Sequence, residues 1–186
     1  GLPHPSCGWM GAIILPAGPA DAAELARVHV AVWRDAYRGL LSDAFLARMS
    51  EASHARRFQA LLTGQTPGEV ILAAATPGGI TAYAGGGPSR SRLPGWAEVD
   101  TLYVLRVAQG RGLGRSLMGA MARTLAAGGA SSLAVSVLRD NRKARAFYER
   151  LGGLPDVPRR ERGPGGALLY EVRYRWPEIG MLASAA

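Results

Sequence analysis

The feature that most narrows the fold is the run from residue 96 to residue 151. It opens with strand character over Trp96–Leu105, passes through Gln109-Gly110-Arg111-Gly112-Leu113-Gly114-Arg115, and continues as an apolar-periodic helix over Gly112–Ala127. Gly128-Gly129 stops that helix, and a strand, Leu133–Leu138, and a second helix, Asn141–Leu151, follow. Strand, glycine turn, helix, strand and helix in this order belong to the α/β (α+β) class.

The flanking segments extend the pattern. Gly11–Leu15 reads as a strand. Asp21 with Glu24 is a capping-box pair opening a helix with Leu25, Val28, Val32 and Ala36 at helical spacing. Gly39 ends it, and Ser42 or Asp43 caps a short helix through Met49. A helix over Ala52–Leu62 precedes two strands, Glu69–Ala75 and Ile80–Ala84, separated by Pro77-Gly78-Gly79. Two last strands, about Leu154–Glu161 and Ala167–Trp176, are joined by Gly163-Pro164-Gly165-Gly166. No internal repeat or dividing linker interrupts this order. The expectation is one domain over residues 10–178, a flexible tail or cloning remnant over 1–9, and a C-terminal tail over 179–186.

Composition excludes several classes. With 186 residues and 48% apolar content, the chain can bury a sizeable core and is not disordered. Met10–Leu15 is the longest apolar run near the start, ends at Pro16 and follows no charged segment. It therefore reads as neither membrane span nor signal peptide, and a cytoplasmic protein is expected. A single cysteine, Cys7, forms no internal disulfide. The net charge of +8 is concentrated, because Thr101–Arg160 holds eleven basic and three acidic residues while the remainder is balanced. Such a region suits an anionic ligand. Only Lys143 among the 22 basic residues is lysine, a skew that codon usage can produce, so the charge alone names no partner.

The chemistry resides in the glycine turn. Unpaired amides at a helix N-terminus, aided by the helix dipole, bind phosphate, and glycines let the backbone approach closely. A Walker A loop would need Gly-Lys-Ser/Thr where Gly114-Arg115-Ser116 stands, and the glycines at 110, 112 and 114 do not match G-x-G-x-x-G. Both alternatives fail.

Gln109, Gly112 and Gly114 after a hydrophobic strand, and Asn141, Ala144, Phe147, Tyr148, Glu149 and Gly152 on the next helix, make two linked motifs. Together they resemble the GNAT superfamily of acyl-CoA-dependent N-acyltransferases, over about Trp96–Gly153. The segment Trp33–Leu40 also looks like the first helix of many bacterial members. Two positions depart from the pattern: Gly153, where an aromatic is usual, and Arg106, where proline is common. The resemblance implies a single GNAT-like domain with a mixed central sheet of about seven strands, splayed central parallel strands and helices on both faces.

It also implies acetyl-CoA as co-substrate, with no metal, and a primary amine of a small molecule or peptide as acceptor. The amides of Gln109, Gly110, Arg111, Gly112, Leu113, Gly114 and Arg115 would cradle the pyrophosphate, with Arg111 and Arg115 adding charge. The backbone of Leu102, Tyr103 and Val104 would pair with the pantetheine arm, and the Leu102 amide would polarise the thioester carbonyl. Asn141 and Arg145 would bind the cofactor, and Tyr148 would act as acid for the leaving thiolate. Glu98 occupies the place of a glutamate base found in some members, and Asp100, Leu102 and Val104 share its face by strand alternation. Trp33 and Tyr37 would line the cleft. Arg160 and Arg162, on one face of the penultimate strand, would stand at the acceptor mouth and favour an amine that also carries an anion.

Competing classes are a non-catalytic acyl-CoA sensor of the same fold and a nucleic-acid module. Glu98 and Tyr148 favour the enzyme over the first, and the lack of aromatics among the arginines argues against the second. His4, His29 and His54 are far apart in sequence without Cys or acidic partners at ligand spacing, so no metal site is expected. No membrane partner is expected, and the chain would be a monomer or a homodimer.

Overall fold

The computed structural model describes residues 11–64 and 66–184, so the expected N-terminal tail lies outside the described residues. Its frame is one mixed sheet of eight strands: β1 (Ile13–Pro16), β2 (Val70–Thr76), β3 (Gly79–Pro88), β4 (Trp96–Val104), β5 (Ser132–Leu138), β6 (Leu154–Pro155), β7 (Arg159–Arg162) and β8 (Leu168–Trp176). The order is β1-β2-β3-β4-β5-β8-β6, with β7 also pairing with β8. The single strand expected over 154–161 is thus two pieces. Pro155 and Pro158 lack the N–H a continuous ladder needs, and the Asp156 amide alone reaches back to the Arg173 carbonyl at 2.8 Å.

Helices cover both faces. Helices α1 (Ala22–Ala36), α2 (Asp43–Ala47) and α3 (Glu51–Gly64) precede β2, α4 (Leu113–Ala127) and α5 (Arg142–Arg150) flank β5, and α6 (Ile179–Ser184) ends the chain. Leu117, Met118 and Met121 of α4, Tyr148 of α5 and Leu182 of α6 pack with Val99, Val135 and Tyr174 on one face. Leu25 and Val28 of α1 pack with Ala73, Ile80 and Tyr83 on the other, with Phe58 of α3 beside them. Residues 179–184, expected as a tail, therefore belong to the core. Ile179 and Leu182 are buried, and Arg123 of α4 donates to the Ala183 carbonyl at 2.9 Å.

Helix ends follow local chemistry with one exception. Ser42 caps α2 by accepting from the Phe45 amide at 3.1 Å, and Asn141 caps α5 through Ala144 at 3.1 Å. Asp21, expected to cap α1, is already helical and accepts from the Gly18 amide at 2.8 Å. Glu24 accepts instead from Ile80 on β3, at 3.3 Å, tying α1 to the sheet.

Two irregularities position the site. The β3–β4 register runs from Ala82↔Val104 to Gly85↔Thr101 and then resumes at Gly86↔Val99, so Asp100 is an extra residue, a β-bulge. Alternation reverses across it. Ala97 and Val99 face α4, and so do Leu102 and Val104, while Glu98, Thr101 and Tyr103 face α1 and α3. The expected grouping of Glu98 with Leu102 and Val104 is corrected accordingly. Gly86 accommodates the bend, because a Cβ there would run into the Glu98 carbonyl and the methyl of Met121. The second irregularity is the β4–β5 pair, parallel only from Trp96↔Ser132 to Val99↔Val135. Beyond it both strands continue, to Val104 and Leu138, without pairing. A gap opens in the middle of the sheet.

Gly153 is buried, and a Cβ on it would lie 2.7 Å from Cζ2 of Trp176 and 3.0 Å from the Tyr148 carbonyl. The Trp176 ring, whose Nε1 donates to the Leu151 carbonyl at 3.0 Å, fills this space.

Candidate functional site

The gap between β4 and β5 exposes backbone. The Leu105 amide bonds to the Thr81 carbonyl at 2.9 Å, which fixes the phase of the β3–β4 ladder. Residues 103 and 101 then bond towards β3, and the amides and carbonyls of Leu102 and Val104 point into the gap. The Val104 carbonyl is taken by Gln109 Nε2 at 3.1 Å, while Gln109 Oε1 accepts from Lys143 Nζ at 2.8 Å. Gln109 thus clamps the turn between β4 and α5 through its side chain.

At the mouth of the gap, Gly110 and Gly112 adopt φ of 76° and 80°, the left-handed region that only glycine enters without strain. Gly112 is the N-cap of α4 and has no side chain to cap it, so the amides of the first turn, Leu113 to Arg115, face outward. Gly114 brings α4 against α5, because its would-be Cβ lies 3.2 Å from Cζ of Phe147. Arg111 and Arg115 are exposed, one in the turn and the other in the first turn of α4.

On α5 the expected residues divide. Tyr148 is 6% exposed and packed among Phe147, Tyr174 and Trp176 at centroid distances of 5.2, 5.7 and 6.1 Å. Burial, reinforced by the nearby Tyr103, pushes its hydroxyl pKa well above the ordinary tyrosine value, so it stays protonated. Asn141 and Arg145 have structural partners. Asn141 Oδ1 caps the helix, and Arg145 donates to the Tyr174 hydroxyl at 3.0 Å and to the Arg139 carbonyl at 3.2 Å. Tyr174 in turn donates to Glu149 at 2.7 Å, completing a stitch from α5 to β8. The structure therefore gives Asn141 and Arg145 positioning work.

The other side of the gap carries the carboxylates. Glu98 accepts from the Ser89 hydroxyl at 3.1 Å and pairs with Arg173 at 3.5 Å, its side chain only 17% exposed. Asp100, on the bulge, pairs with Arg90 at 3.4 Å. Burial raises the Asp100 pKa, and the charges of Glu98 and Glu69 raise it further against the opposing Arg90. Trp33 and Tyr37 stack at 4.6 Å, and Trp33 Nε1 donates to the Tyr103 hydroxyl at 2.9 Å. Burial and then the Glu171 charge raise the Tyr37 pKa.

The arginines of β7 do not join this side. Arg160 pairs with Tyr170 and Arg162 with Leu168, in phase with the buried Val172, Tyr174 and Trp176 on the α4–α5 face. Arg159 and Glu161 are the residues on the Glu98–Arg173 face. Counting alternation within one strand pairs the residues correctly but does not say which face is which.

Sequence reasoning missed the histidines. His29 of α1 and His54 of α3 meet at 4.5 Å between ring centroids, and His29 Nδ1 shares a 2.8 Å hydrogen bond with the Tyr83 hydroxyl. Among the described residues they find no third ligand for a metal. They line a cavity of about 780 Å³ between α1, α3 and β2–β4 that reaches Asp100 and Thr101 at the bulge. The signal was present as His29, Trp33 and Tyr37 at intervals of four on one helical stripe.

Residues 30–153, about two thirds of the chain, match the family model described as Acetyltransferase (GNAT) family. The uncharacterized N-acetyltransferase YuaI of Bacillus subtilis (strain 168) is 28% identical over 164 residues, covering 87% of this chain and 91% of that protein. A GCN5-related N-acetyltransferase from Rhodopseudomonas palustris superposes with a TM-score of 0.68 at 25% identity, covering 88% of this chain and 94% of the other. The structure of yncA from Salmonella typhimurium, solved with its cofactor acetyl-CoA, gives 0.65 at 20% identity over 90% and 94% of the two chains. The splayed β4–β5 pair, the glycine turn before α4 and these matches converge, and the chain belongs to the GNAT family of acyl-CoA-dependent acetyltransferases.

Proposed function

We propose that this chain transfers an acetyl group from acetyl-CoA directly to a primary amine. The observation that carries the reading is the gap itself: the amide and carbonyl of Leu102 and the amide of Val104 point into it with no strand opposite, directly ahead of the left-handed glycine turn at α4. This donor set suits a ligand with a pyrophosphate at one end and amides along its arm, as in the yncA complex. Residues 109–115 would hold the phosphates, with Arg111 and Arg115 supplying charge, and Leu102 to Val104 would hold the arm. Acetyl-CoA supplies the acetyl group as an activated thioester.

The remaining chemistry belongs to the chain. The Leu102 amide donates to the carbonyl oxygen as charge develops there. Glu98 and Asp100 stand on the opposite face, so the amine arrives from the α1–α3 side and gives up a proton to a carboxylate. Its lone pair forms the C–N bond as the C–S bond breaks, and Tyr148, kept protonated by burial, donates its proton to the sulfur. Cys7, the only cysteine, lies outside the motifs, so the transfer needs no covalent enzyme intermediate.

The test is titration calorimetry with acetyl-CoA together with free-thiol release in the presence of a panel of primary amines. Binding and amine-dependent thiol release support the transferase. Binding with no release from any amine would make the chain a sensor of the cofactor, and absence of binding would overturn the site.

A further inference from the structure

We infer that the cavity between α1, α3 and β2–β4 is the acceptor pocket, and that it takes a primary amine with an aromatic body, its nitrogen held at Asp100. The inference rests on the transferase reading above and deepens it.

Position comes first. The cavity ends at Asp100 and Thr101, immediately before Leu102, whose amide points through the sheet into the gap. The bulge brings both about, because the extra residue turns Asp100 and Thr101 towards α1 and α3 while Leu102 keeps its backbone in the gap. A nitrogen at Asp100 therefore sits next to the one amide proposed to hold the carbonyl. About 780 Å³ falls within the ~300–1,000 Å³ typical of small-molecule pockets.

The walls specify the body of the ligand. Phe58 meets Tyr83 edge-on at 5.6 Å and His29 at 5.9 Å, so three rings from three elements pack into one wall of the cavity. Leu61 of α3 lines the same cavity and is 42% exposed, apolar surface that a ligand would cover. Among the three rings the Tyr83 hydroxyl is already bonded to His29, so the ring wall offers a ligand apolar surface. An aromatic ring on the ligand packs edge-on against that wall. Arg57, Arg90 and Glu69 also line the cavity, and with Arg90 paired to Asp100 these charges do not add up to a second site for a cation.

Asp100 is chosen over Glu98 on contacts. Glu98 is held by Ser89 and Arg173 and does not line the cavity. Asp100 lines it, and its partner Arg90 has a side chain 80% exposed, an ion pair that an incoming ammonium displaces cheaply. The acceptor ammonium passes one proton to the Asp100 carboxylate, the freed lone pair makes the new C–N bond as the C–S bond breaks, and the second proton that the nitrogen sheds offsets the one Tyr148 gives to the thiolate.

The experiment compares tryptamine, ethylamine and spermidine with acetyl-CoA in the parent, in Leu61→Trp, which fills the cavity from an exposed position, and in Asp100→Asn. Leu62→Phe serves as a second filling variant, and thermal melts verify that each is folded. Tryptamine should exceed both other amines by tenfold or more in kcat/KM. Filling should raise its KM at least tenfold while leaving the acetyl-CoA Kd within twofold. Asp100→Asn should lower kcat with both tryptamine and ethylamine at unchanged acetyl-CoA affinity. A parent that prefers spermidine, filling variants with the parent's tryptamine KM, or an Asp100→Asn enzyme as fast as the parent would each overturn the inference. Calorimetry with tryptamine alone separates the two proposals. If no amine releases thiol, the transferase reading fails, and the pocket stands or falls on whether tryptamine binds the parent and not Leu61→Trp.

Discussion

The two sides of the β4–β5 gap are made by different means. On the α4–α5 side, consecutive residues do the work. There β4 ends, two left-handed glycines turn the chain, and α4 begins with its amides outward. On the α1–α3 side, the cavity wall is assembled from α1, α3, β2, β3 and β4, segments that meet only when the domain is folded. The first is a backbone device whose side chains largely serve as clamps, as Gln109 does. The second is a side-chain device, its rings and carboxylate gathered from separate elements. A backbone device suits a partner that is always the same, and a side-chain device lets the partner vary.

Four measurements would break or sharpen that contrast. The largest effect is expected for Tyr148→Phe, which keeps the packing and removes one proton donor. Its kcat should fall by ~10²–10⁴ while the acetyl-CoA Kd stays within a few-fold, measured by stopped assays and calorimetry. Unchanged turnover would take Tyr148 out of the mechanism. Next, Arg111→Glu with Arg115→Glu should weaken acetyl-CoA binding by more than tenfold, since attraction becomes repulsion at the turn. Equal affinity would remove the phosphate from this turn and with it one half of the comparison.

Glu98→Gln comes third and tests stability rather than affinity. It leaves Arg173, already holding a buried Nε without a partner, to lose its carboxylate as well. About 1–2 kcal/mol of destabilisation follows, visible as a lower Tm, with the acetyl-CoA Kd unaltered. A Tm equal to the parent's would show that the pair contributes nothing.

The smallest effect concerns His29. Burial, then the charges of His54 and Arg57, hold its pKa down to about 4, against about 6.5 in an unfolded chain. Between those values the unfolded state binds a proton that the folded state does not, so stability is intact above about pH 6.5 and declines as pH falls towards 4. His29→Gln should flatten the fall in Tm between about pH 7.5 and pH 5 by the equivalent of about 1 kcal/mol, allowing for partial exposure. An identical slope in the variant would mean that His29 does not govern it.

The same contrast explains what could be read in advance. The turn, α4, β5 and α5 are contiguous, and each glycine there answers a local requirement, so their order was legible. The bulge was not, because it is a property of β4 against Gly85 and Gly86 of another strand, and counting by twos along β4 passes through Asp100 without notice. That single residue moved Leu102 and Val104 to the opposite face from Glu98. Arg160 and Arg162 failed similarly, since only pairing with β8 tells which face is which. Asn141 and Arg145 look like ligand contacts on a helical stripe, and only the positions of Ala144 and Tyr174 reveal their structural partners. Helix α6, six residues long, is too short for periodicity to show.

The Trp176 ring against Gly153 ties two distant positions together. Family members usually place an aromatic where this chain has Gly153, and here the ring beside it comes from the far end of β8. In this chain a side chain at 153 and the Trp176 ring would compete for one volume, which couples the two positions. Adding a side chain at 153 first drives it into Trp176 and the Tyr148 carbonyl. Removing Trp176 first leaves a hole in the core under Tyr148, a loss of about 3–5 kcal/mol for a buried aromatic. The residue at 153 and the ring at 176 are therefore one choice made at two distant places in the chain.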